Sequence, residues 1–261
     1  IYALRANYGF DQLSFESLKG FRSIKSKLTG HGEAHLNPEG VYISNGPLGS
    51  GLPQAQGLCL ADKLLNNNRV TVCTLSDGAA MEGEAKEALS AIPGLSKKGK
   101  LNPFVLLISD NNTKLSGRID KDSFCMNPTF DSLKTLGFKV SYVENGHDLE
   151  KVYHAIEKTI ADAKGDSKHA HAIVFKTIKG YGVKLTEESS SGGHGYPLKP
   201  YDEKLVEFVK EIYRGEAPEE FITWATDILK NKPAPKDKVE AAVKKEKVQP
   251  GFSRAAKNLA A

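Results

Sequence analysis

The chain has 261 residues, with 36 Lys and Arg against 32 Asp and Glu and a formal net charge of +4 at pH 7. So small a charge on dispersed basic residues demands no nucleic-acid partner, and no apolar run approaches the ~18 residues of a membrane span or reads as a signal peptide. Cys59, Cys73 and Cys125 lack metal-ligand spacing and two of them lie in apolar runs, which implies a reduced, cytoplasmic protein with buried thiols.

Ile1 to Phe10 reads as an amphipathic helix already under way, and Ser14 offers a cap for a short helix through Phe21. Gly30 to Gly51 is Gly-rich with little periodicity, and irregular chain of that length inside a compact domain is usually functional or disordered. It carries His31, Glu33, His35 and Gly46-Pro47-Leu48-Gly49. Exposed backbone groups beside one apolar side chain make a sensible edge for a flat heteroaromatic ring. Taken by itself, His31 is a surface loop histidine. Leu52 to Leu65 reads as a buried helix that a turn at Asn66-Asn67-Asn68 closes.

Val70 to Leu75 is an apolar, β-branched run and therefore a buried strand. Ser76-Asp77-Gly78 breaks it, and Ala79 to Ala91, rich in Ala, Glu, Lys and Leu, reads as a helix. Pro93 to Asn102 reads as a basic loop before a second apolar run, Phe104 to Ile108, which ends at Ser109-Asp110-Asn111-Asn112. Strand, helix and strand make a βαβ unit whose strand ends share one edge of a parallel sheet. Asp77 and Asn111, 34 positions apart, then meet at the crevice where open α/β sheets bind ligands. A carboxylate and a carboxamide oxygen are hard ligands that suit Mg²⁺ or Ca²⁺, with phosphate oxygens completing the shell. Gly78 permits close backbone approach, and the following helix points its N–H groups the same way. Together they describe a metal–diphosphate cradle. Singly, Asp77 could as well cap a helix and Asn111 turn a loop.

Asp131 to Gly137 reads as a helix, Lys139 to Val143 as a strand, and Leu149 to Lys164 as a helix with His147 and Asp148 as its caps. A further strand starts at Ala172; His169 and His171 beside it lack a third ligand and make no zinc site. Lys179 to Leu198 is a second Gly/Ser-rich loop, in which His194, flanked by glycines, is accessible. Tyr201 to Trp224 reads as one or two short helices. The chain then divides into an α/β domain over 1–229, a basic linker over 230–250 and the start of a following domain over 251–261. Its first residue inside a helix and its last stretch opening one imply a piece of a longer polypeptide. The expected architecture is a doubly wound, mostly parallel sheet with helices on both faces.

Ser76-Asp77-Gly78 and Asp110-Asn111-Asn112 resemble the Gly-Asp-Gly to Asn-Asn signature of thiamine-diphosphate enzymes, with Ser76 where that family usually has Gly. GHGEAHLNPEGVYISNGPLGSGLPQAQG and SGGHGYPLK resemble transketolase, and the resemblance covers most of Ile1 to Leu198. It implies thiamine diphosphate held through Mg²⁺ or Ca²⁺ by Asp77, Asn111 and the carbonyl of Thr113, where the family commonly has Ile, with Gly78 against the diphosphate. It places Gly46 and Leu48 along the aminopyrimidine, His31 near the reactive carbon, and His194 near the diphosphate and the substrate carbonyl. Glu82, otherwise a charged helical face like Glu84 and Glu87, matches part of a proton-sharing relay between paired active sites. The reaction implied is ketol transfer between ketose and aldose phosphates, a step of the pentose phosphate pathway. A pyrimidine-binding domain or subunit would come from elsewhere, the complete enzyme would be a homodimer, and this chain by itself would be inactive. A subunit of a naturally split transketolase-like enzyme and a non-catalytic transketolase-like assembly module stay open beside that reading. Other thiamine-diphosphate enzymes share the metal motif, but the Gly-Pro-Leu-Gly and His-Gly-x-Pro-Leu segments favour transketolase.

Overall fold

The computed structural model describes residues 1–44, 46–194 and 198–233. The chain forms two compact units, Ile1–Pro197 and Leu198–Ala261. The first opens with α1 (Tyr2–Tyr8) and α2 (Phe15–Leu18). Ser14 caps α2 as its sequence predicts, its hydroxyl accepting from the Ser17 N–H while the Ser17 hydroxyl accepts from that of Ser14. Irregular chain then leads to α3 (Gly51–Leu64). Next come β1 (Thr71–Ser76), α4 (Asp77–Ala80), α5 (Gly83–Lys97) and β2 (Phe104–Asp110). A small hairpin of β3 (Thr113–Lys114) and β4 (Gly117–Arg118) precedes α6 (Ile119–Asp122) and α7 (Asn127–Leu136). The unit closes with β5 (Lys139–Val143), α8 (Leu149–Gly165), β6 (His171–Lys176) and α9 (Lys184–Glu187).

Four parallel strands pair in the order β1-β2-β6-β5. Strand alternation divides their side chains between two layers. Cys73, Leu75, Leu106, Ile108, Ala172 and Val174 join Leu89 and Ile92 of α5 and Phe130 and Leu133 of α7 in one core. Thr74, Leu107 and Phe175 instead face Val152 and Ile156 of α8. Helices therefore cover both faces, and each fully buried Ile, Leu or Phe contributes roughly 1.5–3 kcal/mol of apolar transfer.

Several elements differ from their sequence expectation. β1 is half-buried, with Val72 43% exposed, because it is an edge strand among the described residues. Only Leu52 and Cys59 of α3 are buried, since the helix packs on α5 and β1 along one side. The helix expected over Ala79 to Ala91 is two, parted where Glu82 takes extended backbone at ψ 147°. Pro93, expected to open a loop, lies inside α5, which runs on to Lys97. The lost N–H bond is offset by burial: Pro93 packs so closely beneath the turn after α7 that a Cβ on Gly137 would lie 3.2 Å from its own. Asp148 does cap α8, accepting from the Lys151 N–H, but His147 does not. Its Nε2 accepts from the Ile178 N–H at 2.7 Å, and its ring stacks on Tyr181.

In the second unit α10 (Leu205–Ile212) and α11 (Glu219–Lys230) pack together, with Val209 and Ala225 buried and Tyr213 stacked on Phe221. The linker beyond residue 233 and the expected further domain over 251–261 lie outside the described residues.

Candidate functional site

β1 and β2 run in register to their carboxyl ends, Ser76 beside Ser109, so the turns that leave them meet. Ser76 starts α4 by accepting from the Ala79 N–H at 3.1 Å. That frees Asp77 from capping. Its carboxylate has no exposed surface and accepts from three backbone N–H groups, those of Gly78 at 2.7 Å, Asn111 at 2.8 Å and Asn112 at 2.5 Å. One side chain thus staples the two strand-end turns together. Burial pushes the Asp77 acid upward, the three N–H groups oppose the rise, and the charge of nearby Asp110 adds to it.

Asn111 brings a second oxygen. Its amide nitrogen lies 3.4 Å from Ser109 Oγ, and its Oδ1 is buried without a hydrogen-bond partner among the described residues. Such an orphan costs about 1–3 kcal/mol and calls for a ligand. Thr113, buried in β3, donates its hydroxyl to the Asn111 carbonyl and accepts from Arg118 Nη1 at 2.6 Å. A Cβ placed on Gly78 would lie in ordinary contact with the Thr113 carbonyl oxygen, 3.6 Å away, so that carbonyl faces the start of α4. One carboxylate, one unpaired carboxamide oxygen and one carbonyl can hold a hard divalent cation.

A pocket of about 340 Å³ adjoins this edge, and His31, Gly46, Leu48 and Ser76 all line it. Gly46 and Leu48, expected along the aminopyrimidine, and His31, expected near the reactive carbon, therefore share one pocket with the residue before Asp77. Gly49 closes the loop at φ +89°, where a Cβ would fall 2.6 Å from that of Glu82. Glu82 is exposed at the break between α4 and α5, and its side chain makes no capping bond.

Lys179 completes the edge and was not anticipated. Its ammonium stands 3.4 Å from His194 Nδ1. Burial pushes its titration down, the Asp77 charge opposes that, and Arg118 adds to it. Arg118 also donates through Nη2 to the carbonyls of Glu187 and Ser189, both at 2.9 Å, tying the second loop to β4. His194 is exposed; Gly195, Tyr196 and Pro197 of its expected segment lie outside the described residues.

The family described as transketolase, thiamine diphosphate binding domain, matches residues 1–257. The chain belongs to that family. Transketolase of Bacillus subtilis (strain 168) is 34% identical over 231 residues, which cover 85% of this chain and 32% of that protein. Transketolase 1 of Pasteurella multocida is 35% identical over 208 residues, covering 76% of this chain and 29% of its own. Among solved structures, transketolase from Campylobacter jejuni superposes with a TM-score of 0.66 at 29% identity, over 88% of this chain and 35% of that one. Transketolase from Leishmania mexicana does so with a TM-score of 0.65 at 27% identity, over 88% and 34%. The chain spans about a third of the length of the curated relatives it matches. No helix among the described residues is long and apolar enough to cross a membrane.

For a transketolase diphosphate domain, Lys179 and Arg118 had a legible signal. Lys179 follows the end of β6 by three residues, at the sheet edge where ligands bind, and precedes a Gly-x-Gly turn, while Arg118 closes β4 eight residues after β2 ends at the same edge.

Proposed function

We propose that this domain holds thiamine diphosphate through Mg²⁺, or Ca²⁺ in its place, within an enzyme that transfers two-carbon ketol units between sugar phosphates. The observation that carries the proposal is the unpaired, buried Asn111 Oδ1 beside the fully buried Asp77 carboxylate. Asp77, Asn111 and the Thr113 carbonyl would hold the cation, and Gly78 would let a diphosphate approach the start of α4. When bound, the cofactor supplies the carbanion chemistry of ketol transfer.

The chain's own groups bind and orient. Gly46 and Leu48 offer the edge of the ring site, and His31 stands over the same pocket to exchange a proton with the substrate. Lys179 supplies positive charge towards the diphosphate, and His194 beside it donates to the substrate carbonyl or the diphosphate. Glu82, exposed on the break before α5, would join the proton relay across a homodimer. On this reading a pyrimidine-binding domain or subunit would supply the rest of the cofactor site and the sugar-phosphate contacts, and residues 1–261 by themselves would be inactive. A cytoplasmic place in the pentose phosphate pathway follows from the same reading.

Calorimetric titration of thiamine diphosphate into the chain, with and without Mg²⁺ and with Asp77→Ala as control, tests the cradle. Mg²⁺-dependent binding that the variant loses is expected. Binding that ignores Mg²⁺ or survives Asp77→Ala would overturn it, as would no binding even when a pyrimidine-binding domain is supplied.

A further inference from the structure

The loop that carries His31 makes no sheet or helix ladder, so local turns and side chains serve its backbone. Two hydroxyls converge on one atom. The His31 carbonyl oxygen accepts from Tyr2 Oη at 2.9 Å and from Thr29 Oγ1 at 2.5 Å, and those hydroxyls lie 3.4 Å apart. Tyr2 is 8% exposed and belongs to α1, so the contact crosses from a regular helix to irregular chain.

The same helix grips the loop further along. Arg5, 3% exposed, donates through Nη1 to Asn37 Oδ1 at 2.8 Å and through Nε to the Glu39 carbonyl at 2.9 Å. Asn37 is itself buried, and its N–H and that of Leu36 close a turn on the Glu33 carbonyl. A Cβ on Gly32 would lie 3.6 Å from Ile1 Cδ1, so the chain beside His31 also rests on the start of α1. Tyr2 and Arg5, three positions apart, share one helix face, and the loop is seated on it.

We propose that Tyr2 is a positioning residue for His31: its hydroxyl, with that of Thr29, fixes the peptide plane at His31 and so holds the imidazole at the pocket lined by Gly46 and Leu48. A carbonyl oxygen has two lone pairs, and here both are taken. Turning the peptide would strand two hydroxyls at once, one of them on a nearly buried ring. The proposal rests on reading that pocket as the cofactor's ring site.

Tyr2→Phe keeps the ring in the core and deletes one donor, and Thr29→Val deletes the other. Amide exchange of Ala34, Leu36 and Asn37 is read without ligand, and is expected to quicken about fivefold or more in each variant, as loss of one hydrogen bond implies. The His31 Cε1–H resonance is then followed by NMR as thiamine diphosphate and Mg²⁺ are added to the full chain. In wild type it should shift; in Tyr2→Phe the shift should fall by about half or more, while the His194 resonance responds as before. Exchange that stays within about twofold of wild type in both variants overturns the proposal, as does an undiminished His31 shift in Tyr2→Phe. If ligand moves neither histidine in wild type even when a pyrimidine-binding domain is supplied, the cofactor reading of the pocket fails, and the exchange arm still decides whether Tyr2 fixes the loop.

Discussion

Asp77 and Asp166 stand at opposite ends of one parallel sheet, and their surroundings push them in opposite directions. At the carboxyl end Asp77 is fully buried, receives N–H groups but no ion-pair partner among the described residues, and burial raises its acid from the ordinary value. At the amino end, where β5 and β6 begin, Asp166 takes the Lys139 ammonium at 2.5 Å and His169 Nδ1 at 2.8 Å, which hold its carboxyl at about 2. The contrast belongs to the two carboxylates and not to every group near them: His171 Nε2 at the amino end is also buried without a partner among the described residues, and at the carboxyl end Asp110 pairs with Lys176. Asn111 Oδ1, with no partner among the described residues, and Lys179, desolvated beside Asp77, extend the same deficit. Unmet charge and free lone pairs at a crevice are what a ligand site needs, and a foundation needs neither.

The sharpest way to break the contrast is to remove Asp77. In Asp77→Ala the N–H groups of Gly78, Asn111 and Asn112 lose their shared acceptor, and the two strand-end turns lose their staple. Urea unfolding of the ligand-free protein should show a loss of about 2–4 kcal/mol. A loss below roughly 0.5 kcal/mol would mean that the turns hold without it. The pH dependence has a definite sign. An acid whose folded pKa is raised binds its proton more readily in the native state. Ligand-free stability from this group therefore rises as pH falls through the folded value towards the unfolded one. Asp77→Asn should remove that rise.

Lys179→Met separates binding from folding. Replacing a desolvated ammonium by an apolar chain should leave ligand-free stability unchanged or slightly higher. Affinity for thiamine diphosphate with Mg²⁺ should fall about tenfold to a hundredfold, as loss of one charged contact to a diphosphate implies. Calorimetry and thermal unfolding on the same sample check both. Equal affinity would remove Lys179 from the site.

The carboxyl edge was legible in part because topology makes it. Two apolar runs joined by a helix suffice to put Asp77 and Asn111 together, and no detail of packing enters. Failures fell where a tertiary contact outweighed a local signal. Pro93 reads as a helix stop, yet it stays in α5 because its ring packs under Gly137, a residue 44 positions away. His147 reads as a cap beside Asp148, but the Ile178 N–H across the sheet edge claims it. Lys179 is one lysine among many until the structure half-buries it within reach of the Asp77 charge. In the first loop the histidines and the Gly-Pro-Leu-Gly segment were legible but not what seats them, because those contacts come from Tyr2 and Arg5, which read as ordinary positions of an amphipathic helix.

The smallest effect belongs to Asp166. Asp166 is a solvent-facing carboxylate, so deleting its charge in Asp166→Asn should lower the thermal midpoint only slightly at pH 7. Its value lies in the shape of the acid limb. A folded pKa held at about 2 gives stability that is fully present above the unfolded carboxylate value and is lost as pH falls towards 2. The gap between wild type and Asp166→Asn should thus stay level from neutral pH down to about 5 and close below about 4, the reverse of the Asp77 dependence. Thermal midpoints taken along that limb decide the matter. A gap that stays open to the lowest pH at which the protein folds would mean that Asp166 acts through its shape and hydrogen bonds rather than its charge. The two carboxylates would then differ in solvation alone, since Asp166 would no longer owe its effect to ion pairing.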